Sequence, residues 1–91
     1  MQDENAVQRA YLRLAASVVP LYEIGVTIAR EDIGPKLAKI AKEIQDRGNP
    51  APYLYGLKTD LSNVARASSS LAPKTEEILI AIEKLEQELQ K

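Results

Sequence analysis

Three consecutive serines, Ser68 to Ser70 in the segment RASSSLAP, are the side chains that most suggest a nucleophile or a phosphorylation site. A catalytic serine needs a neighbouring base, most often histidine. The sequence contains no His and no Cys, which excludes Ser-His-Asp and Cys-His pairs and zinc sites built from His and Cys. We therefore interpret the serines as residues that cap and fray a helix end.

The charged residues form no catalytic pattern either. Twelve basic and thirteen acidic residues are mixed along the chain, for a net charge of −1. The carboxylates fall on outward faces or near helix ends, and none is placed as a buried acid/base pair. No glycine loop leads into a helix with Lys-Ser or Lys-Thr, so a phosphate-binding loop has no support. We predict no catalytic residue, cofactor, metal or small-molecule substrate, and infer that the protein acts by binding.

Composition also limits the partners and the location. Nucleic-acid binding needs a basic surplus on one face, and none is evident. The absence of Cys suits a reducing cytosol, and the start MQDENAVQRA lacks the features of a secretion signal. The longest mainly apolar stretch, LAASVVPLY, is too short to span a membrane. We expect a cytoplasmic protein with at most a peripheral contact at the inner face of the membrane.

The elements that position these side chains are predicted to be helices. Phe and Trp are absent, so the core must consist of Leu, Ile, Val and Ala with a few tyrosines, as helix-on-helix packing favours. At 91 residues the chain makes one domain, residues 1–91. We predict an all-α, antiparallel four-helix bundle with helices at about 4–29, 33–47, 50–70 and 73–90.

Apolar stripes at helical spacing support each of these helices. The first is Val7, Tyr11, Leu14, Val18, Leu21, Gly25 and Ile28; the second is Ile33, Leu37, Ile40 and Ile44. The third is Leu54, Leu57, Leu61, Val64, Ser68 and Leu71; the fourth is Ile78, Leu79, Ile82, Leu85 and Leu89. Pro20 interrupts the first stripe, and we expect the long first helix to be kinked or broken there. The stripe continues in phase, which favours the kink.

The segment DRGNPAPYLYGLKTDL is predicted to be a stiff corner between the second and third helices. Gly48 can adopt the left-handed conformation that ends one helix, and Asn49 can cap the next. Pro50 and Pro52 fall in the first turn, where a missing amide proton is tolerated. Gly56, inside the third helix, suggests close approach of a neighbouring helix.

Several side chains fall outside the apolar stripes. Tyr53 is predicted to lie at the core boundary, and Tyr55 to point elsewhere, as a surface ring or as a partner contact. Ile80 is about 200° from Ile78 around the helix and should face away from the core. It is either an ordinary exposed aliphatic or part of a docking surface with Lys84 and Gln87.

Three lysines of the second helix, Lys36, Lys39 and Lys42, also lie outside its stripe. They form either a solvated face or a weak basic strip for an acidic partner or for membrane headgroups.

Residues 20–90 resemble one known family. A Lys/Glu-rich helix ends in DRGNP, the next contains YLYGLKTDLSNVA, and the last includes SLAPKTEEILIAIEKL. This succession resembles the pediocin-like (class IIa) bacteriocin immunity proteins, the enterocin A immunity family. The resemblance implies a four-helix bundle in the cytosol of a Gram-positive bacterium. It also implies protection from a pediocin-like peptide, by binding the membrane component of the mannose phosphotransferase permease with bound bacteriocin from the cytosolic side.

Specificity in that family lies mainly in the C-terminal half, which corresponds here to residues from Tyr53 onward. The candidate partner-binding residues are Tyr53, Tyr55, Lys58, Lys74, Ile80, Lys84 and Gln87. The alternative function is a helical adaptor or regulatory module that binds a soluble protein through the same surfaces.

Overall fold

Residues 4–91, which a computed structural model describes, fold into four α-helices and contain no strand. The helices are α1 (Glu4–Ile24), α2 (Gly34–Gln45), α3 (Ala51–Ala67) and α4 (Ala72–Gln90). A π-helical turn, Ala29–Ile33, precedes α2, and a 3-10 turn, Ser69–Leu71, precedes α4. The Cα radius of gyration, 12.6 Å, is close to the roughly 12 Å expected for one globule of this length. The prediction of an all-α fold with four helices is confirmed.

The first helix ends earlier than predicted. It runs without interruption through Pro20 and stops at Ile24, so both a break near Pro20 and a helix end at residue 29 are wrong. Proline removes the hydrogen bond to the carbonyl of Ala16. Because Ala16 is exposed, water can bind that carbonyl, and the helix tolerates the loss.

Gly25 is what ends α1. Its φ of 87° places it in the left-handed region, where glycine carries no Cβ penalty. The amide of Gly25 donates to the carbonyl of Tyr22 (3.0 Å), and the amide of Val26 donates to that of Leu21 (3.1 Å). These two bonds define a Schellman motif. Gly25 therefore belongs to the turn, although its spacing placed it in the apolar stripe.

The predicted stripes meet in one hydrophobic core, except at Gly25 and at Ser68 and Leu71. The last two were assigned to the third stripe, but α3 ends at Ala67 and both are only partly buried. The fully buried large side chains of the core are Leu14, Val18, Leu21, Ile33, Ile40, Leu54, Leu57, Leu61, Val64, Ile78, Ile82 and Leu85. Tyr11, Ile28, Ile44, Leu79 and Leu89 are only partly buried and pack against this core. Burial of a large aliphatic side chain contributes about 1.5–3 kcal/mol, so this core is the main source of stability.

The corner after α2 contains a second Schellman motif, but a different residue takes the strained position. Arg47 has a φ of 58°, and the prediction that Gly48 adopts the left-handed conformation is wrong. The amide of Gly48 donates to the carbonyl of Glu43 (2.7 Å), and that of Arg47 to Ile44 (3.2 Å). This bonding places the left-handed site one residue before the glycine. Asn49 accepts a hydrogen bond from the amide of Ala51 (3.1 Å), as expected of a cap.

Lys36 of α2 crosses Gly56 of α3. A Cβ at Gly56 would lie 2.7 Å from Cε of Lys36, and Nζ of Lys36 forms a 2.9 Å ion pair with Asp60. The predicted close approach at Gly56 is thus confirmed, and the approaching group is a lysine side chain.

Candidate partner-binding surface

Two of the candidate contact residues, Tyr55 on α3 and Ile80 on α4, are large apolar side chains that are mostly exposed. Tyr55 is 73% exposed and Ile80 is 60% exposed. Helical geometry explains both exposures. Leu54 and Leu57 are buried on the inner side of α3, so Tyr55 lies on its outer side. Ile78 is buried on the inner side of α4, and Ile80, about 200° further around the helix, lies on its outer side. The predicted outward orientation of both residues is confirmed.

Two other candidates are occupied by contacts within the protein. The ring of Tyr53 is partly buried, and Nζ of Lys39 lies 5.6 Å from its centroid, within the range of a cation–π contact. Lys58 is partly buried and forms a 2.9 Å ion pair with Glu86, which links α3 to α4. A partner would have to compete with these contacts.

The remaining candidates, Lys74, Lys84 and Gln87, are exposed on α4. Lys84 lies at a shallow groove of about 260 Å³ between α1 and α4. Two arginines of α1, Arg9 and Arg13, line the same groove. No sequence pattern groups Lys84 with the two arginines, because it lies 71 positions after Arg13 along the chain.

One carboxylate, Glu88, also lines this groove, and it forms a 2.9 Å ion pair with Lys91. The groove therefore presents more positive than negative charge. Such a surface attracts acidic protein segments or anionic headgroups, and salt screens that attraction.

The lysines of α2 do not form a free basic strip. Lys36 pairs with Asp60, and Lys39 approaches the Tyr53 ring. Lys42 lies 3.9 Å from Asp46. The exposed cations that form no ion pair or cation–π contact within residues 4–91 are found on α1, the π-helical turn, α3 and α4.

A further apolar surface on α1 was not predicted. Leu12 is 61% exposed and Val19 is 44% exposed, and Ala16 between them is also exposed. The signal in the sequence was the stretch LAASVVPLY and the residues before it, where apolar side chains occupy both the inner and the outer side of one helix. The single inward stripe accounted for only part of that pattern.

An open cleft of about 1090 Å³ lies at the end of the molecule where α2 turns into α3. Its lining includes Glu4, Glu43 and Arg47, and Glu4 and Arg47 form an ion pair. Glu43 accepts a 3.0 Å hydrogen bond from the amide of Asn49. These polar contacts stabilise the corner between α2 and α3 and link it to the start of α1.

The buried polar side chains of residues 4–91 make their contacts within the protein. No group of three His, Cys, Asp or Glu side chains in residues 4–91 could hold a metal ion. Every buried side-chain polar atom in this range has a hydrogen-bond partner. The pKa of Tyr11 is raised, first by burial and then by the nearby Tyr22 phenol, and its hydroxyl donates to the carbonyl of Leu37 (3.0 Å).

Comparisons of the chain with protein-family models, curated proteins and solved structures found no match. The resemblance to the bacteriocin immunity proteins therefore stays a prediction. Among the four helices of the part described, none has the length and apolar character needed to cross a bilayer.

Proposed function

We propose that this protein is a bacteriocin immunity protein. It binds the membrane component of the mannose phosphotransferase permease, with a pediocin-like peptide bound, from the cytosolic side and so protects the cell. The observation that carries the proposal is the exposure of Tyr55 and Ile80 in the half of the chain where the resemblance puts specificity. An exposed tyrosine supplies much contact area for little loss of conformational entropy.

In this proposal the four helices form an antiparallel bundle, as the resemblance implies. The order of the contacts between α1 and the α2 region supports it. Glu4, at the start of α1, pairs with Arg47, just after α2, whereas Tyr11 reaches Leu37, near the start of α2. Contacts that run in opposite directions along two helices are those of an antiparallel pair. A kink of α1 at Pro20 is part of the same proposal.

The groove cations give the proposed complex its orientation at the membrane. Arg13 and Lys84 would face the acidic lipid headgroups or the cytosolic loops of the permease. Each basic residue close to an anionic membrane surface contributes about 1 kcal/mol to binding. Peripheral contact at the inner face of the membrane would then add to the apolar contacts of Ile80.

The experiment is expression of the chain inside a bacterium that is sensitive to pediocin-like peptides, followed by challenge with a panel of them. We expect survival against at least one peptide and no protection in cells that carry the empty vector. Unchanged killing by every peptide, with the folded protein detected in the cells, would refute the immunity function.

The second candidate function is a helical adaptor that binds a soluble protein. The exposed Leu12 and Val19 favour it, because they lie on α1, outside the half that the immunity proposal uses. Gene context separates the two functions. A neighbouring open reading frame for a short cationic peptide with a Gly-Gly leader would support immunity.

A further inference from the structure

A second heptad pattern runs along the outer side of α1. Its members, which we call the outer seam, are Arg9, Leu12, Ala16, Val19 and Glu23, at spacings of 3, 4, 3 and 4 residues. All five residues are exposed. The core seam of the same helix, from Val7 to Leu21, is buried on the opposite side. Thus α1 carries one apolar seam that its own bundle covers and another that residues 4–91 leave open.

The shape of the outer seam suits another helix. A 3,4 spacing keeps successive side chains on one line, so a second helix can pack along all of it. Ala16 lies at the centre, between the larger Leu12 and Val19. A small residue at the crossing point allows two helix axes to come close, while the larger residues on either side fill the space that remains.

The charged residues at the two ends of the outer seam favour a second copy of the same helix as the partner. Arg9 lies seven residues before Ala16, and Glu23 lies seven residues after it. Neither forms an ion pair within residues 4–91. If a second α1 packs antiparallel about Ala16, each Arg9 faces a Glu23 of the other copy. A parallel pair would instead place Arg9 against Arg9 and Glu23 against Glu23, which is repulsive.

We propose that the outer seam is a homodimer interface, in which two copies of α1 pack antiparallel about a two-fold axis at Ala16. Leu12 of each copy contacts Val19 of the other, and an Arg9–Glu23 ion pair closes each end. Such an interface is isologous, because the same surface serves both copies. It leaves Tyr55 and Ile80, on α3 and α4, outside the helix that pairs, and it does not depend on the proposed immunity function.

One helix face is a small contact area. Interfaces that bury less than about 1,200 Å² in total are typical of weak, transient complexes. The dimer should therefore form at micromolar to millimolar concentration and dissociate on dilution. Because its two ion pairs lie at the rim, high salt should weaken it further.

Analytical ultracentrifugation of the full chain over a wide concentration range tests the dimer. Arg9→Glu should place two like-charged pairs across the interface and weaken the dimer at least tenfold, as should Glu23→Arg. A mixture of these two variants restores both ion pairs, so we expect a heterodimer about as stable as the wild-type dimer. The double variant in one chain should likewise recover self-association.

Cysteine cross-linking tests the direction of packing, and the absence of native Cys gives a clean background. Leu12→Cys mixed with Val19→Cys should form mixed disulfides faster than either variant forms its own, and a parallel pair would reverse that order. Ile80→Ser is the matched control for loss of an exposed aliphatic and should leave dimerisation unchanged. A chain that stays monomeric to about 1 mM, or a dimer indifferent to the charge reversals, would overturn the proposal.

Discussion

The hydroxyl of Tyr11 on α1 donates a 3.0 Å hydrogen bond to the main-chain carbonyl of Leu37 on α2. It is a polar link at the edge of a core whose buried members are all aliphatic. Burial raises the pKa of the Tyr11 phenol, and the nearby Tyr22 phenol raises it further. The folded protein thus favours the neutral, hydrogen-bond-donating form of Tyr11.

Tyr11→Phe is expected to lower the free energy of unfolding at neutral pH by about 0.5–1.5 kcal/mol, the usual contribution of one hydrogen bond. The folded-state pKa lies above the unfolded value of about 10. The contribution is therefore complete below about pH 10 and is lost as pH rises through the folded pKa. Urea unfolding of both proteins between pH 7 and 11 should show their difference shrinking above pH 10.

Comparison of the two proteins removes the effect of lysine deprotonation, which they share over the same pH range. Tyr55→Phe is the matched control, because Tyr55 is exposed and its removal should leave the pH dependence unchanged. A constant difference between wild type and Tyr11→Phe from pH 7 to 11 would contradict the proposed role of the Tyr11 phenol.

Gly56→Ala tests the crossing of Lys36 over α3. Alanine in a helix interior is favoured over glycine by about 1 kcal/mol, but the new Cβ would displace Lys36 and weaken its ion pair with Asp60. We expect a stabilisation well below 1 kcal/mol in wild type. In a Lys36→Ala background the stabilisation should reach about 1 kcal/mol. Denaturation of all four proteins in a double-mutant cycle measures this coupling, and a coupling of zero would mean that Lys36 does not limit the site.

Gly25→Ala should destabilise the protein by about 1–2 kcal/mol, the penalty of a left-handed conformation for a residue with a Cβ. No atom lies within 4 Å of a Cβ built at this position, so backbone conformation is the whole cause. The melting temperature should fall by roughly 4–8 °C per kcal/mol. Gly25→Asn is the control, since asparagine tolerates this region better and should show a smaller decrease. Equal stability of wild type and Gly25→Ala would show that α1 does not need the turn.

Tyr55→Ala and Ile80→Ser test the proposed contact surface. Because both side chains are largely exposed, each substitution should change the free energy of unfolding by no more than about 0.5 kcal/mol. If the immunity proposal holds, each should reduce survival in the peptide challenge. Thr59→Ala, an exposed change on α3, is the matched control and should protect as well as wild type. Full protection by both variants would remove Tyr55 and Ile80 from the surface.

Most of the residues that face inward could be predicted from the spacing of apolar residues in the sequence. Leu14, Leu57 and Ile82 were assigned to the core from spacing alone, and each is buried. This succeeds because a helix places residues three and four apart on one side whatever it packs against. The exposure of Tyr55 and Ile80 followed from the same geometry.

How the helices end, and which side chains of different helices meet, could be seen only in the folded structure. Gly25 fits the apolar spacing as well as any residue, and only its left-handed backbone shows that it ends α1. Lys84 joins Arg9 and Arg13 at one groove because packing brings together helices from opposite ends of the chain. The spacing of apolar residues predicts only which side of a single helix is buried. Contacts between helices depend on how pairs of surfaces fit, which no local pattern contains.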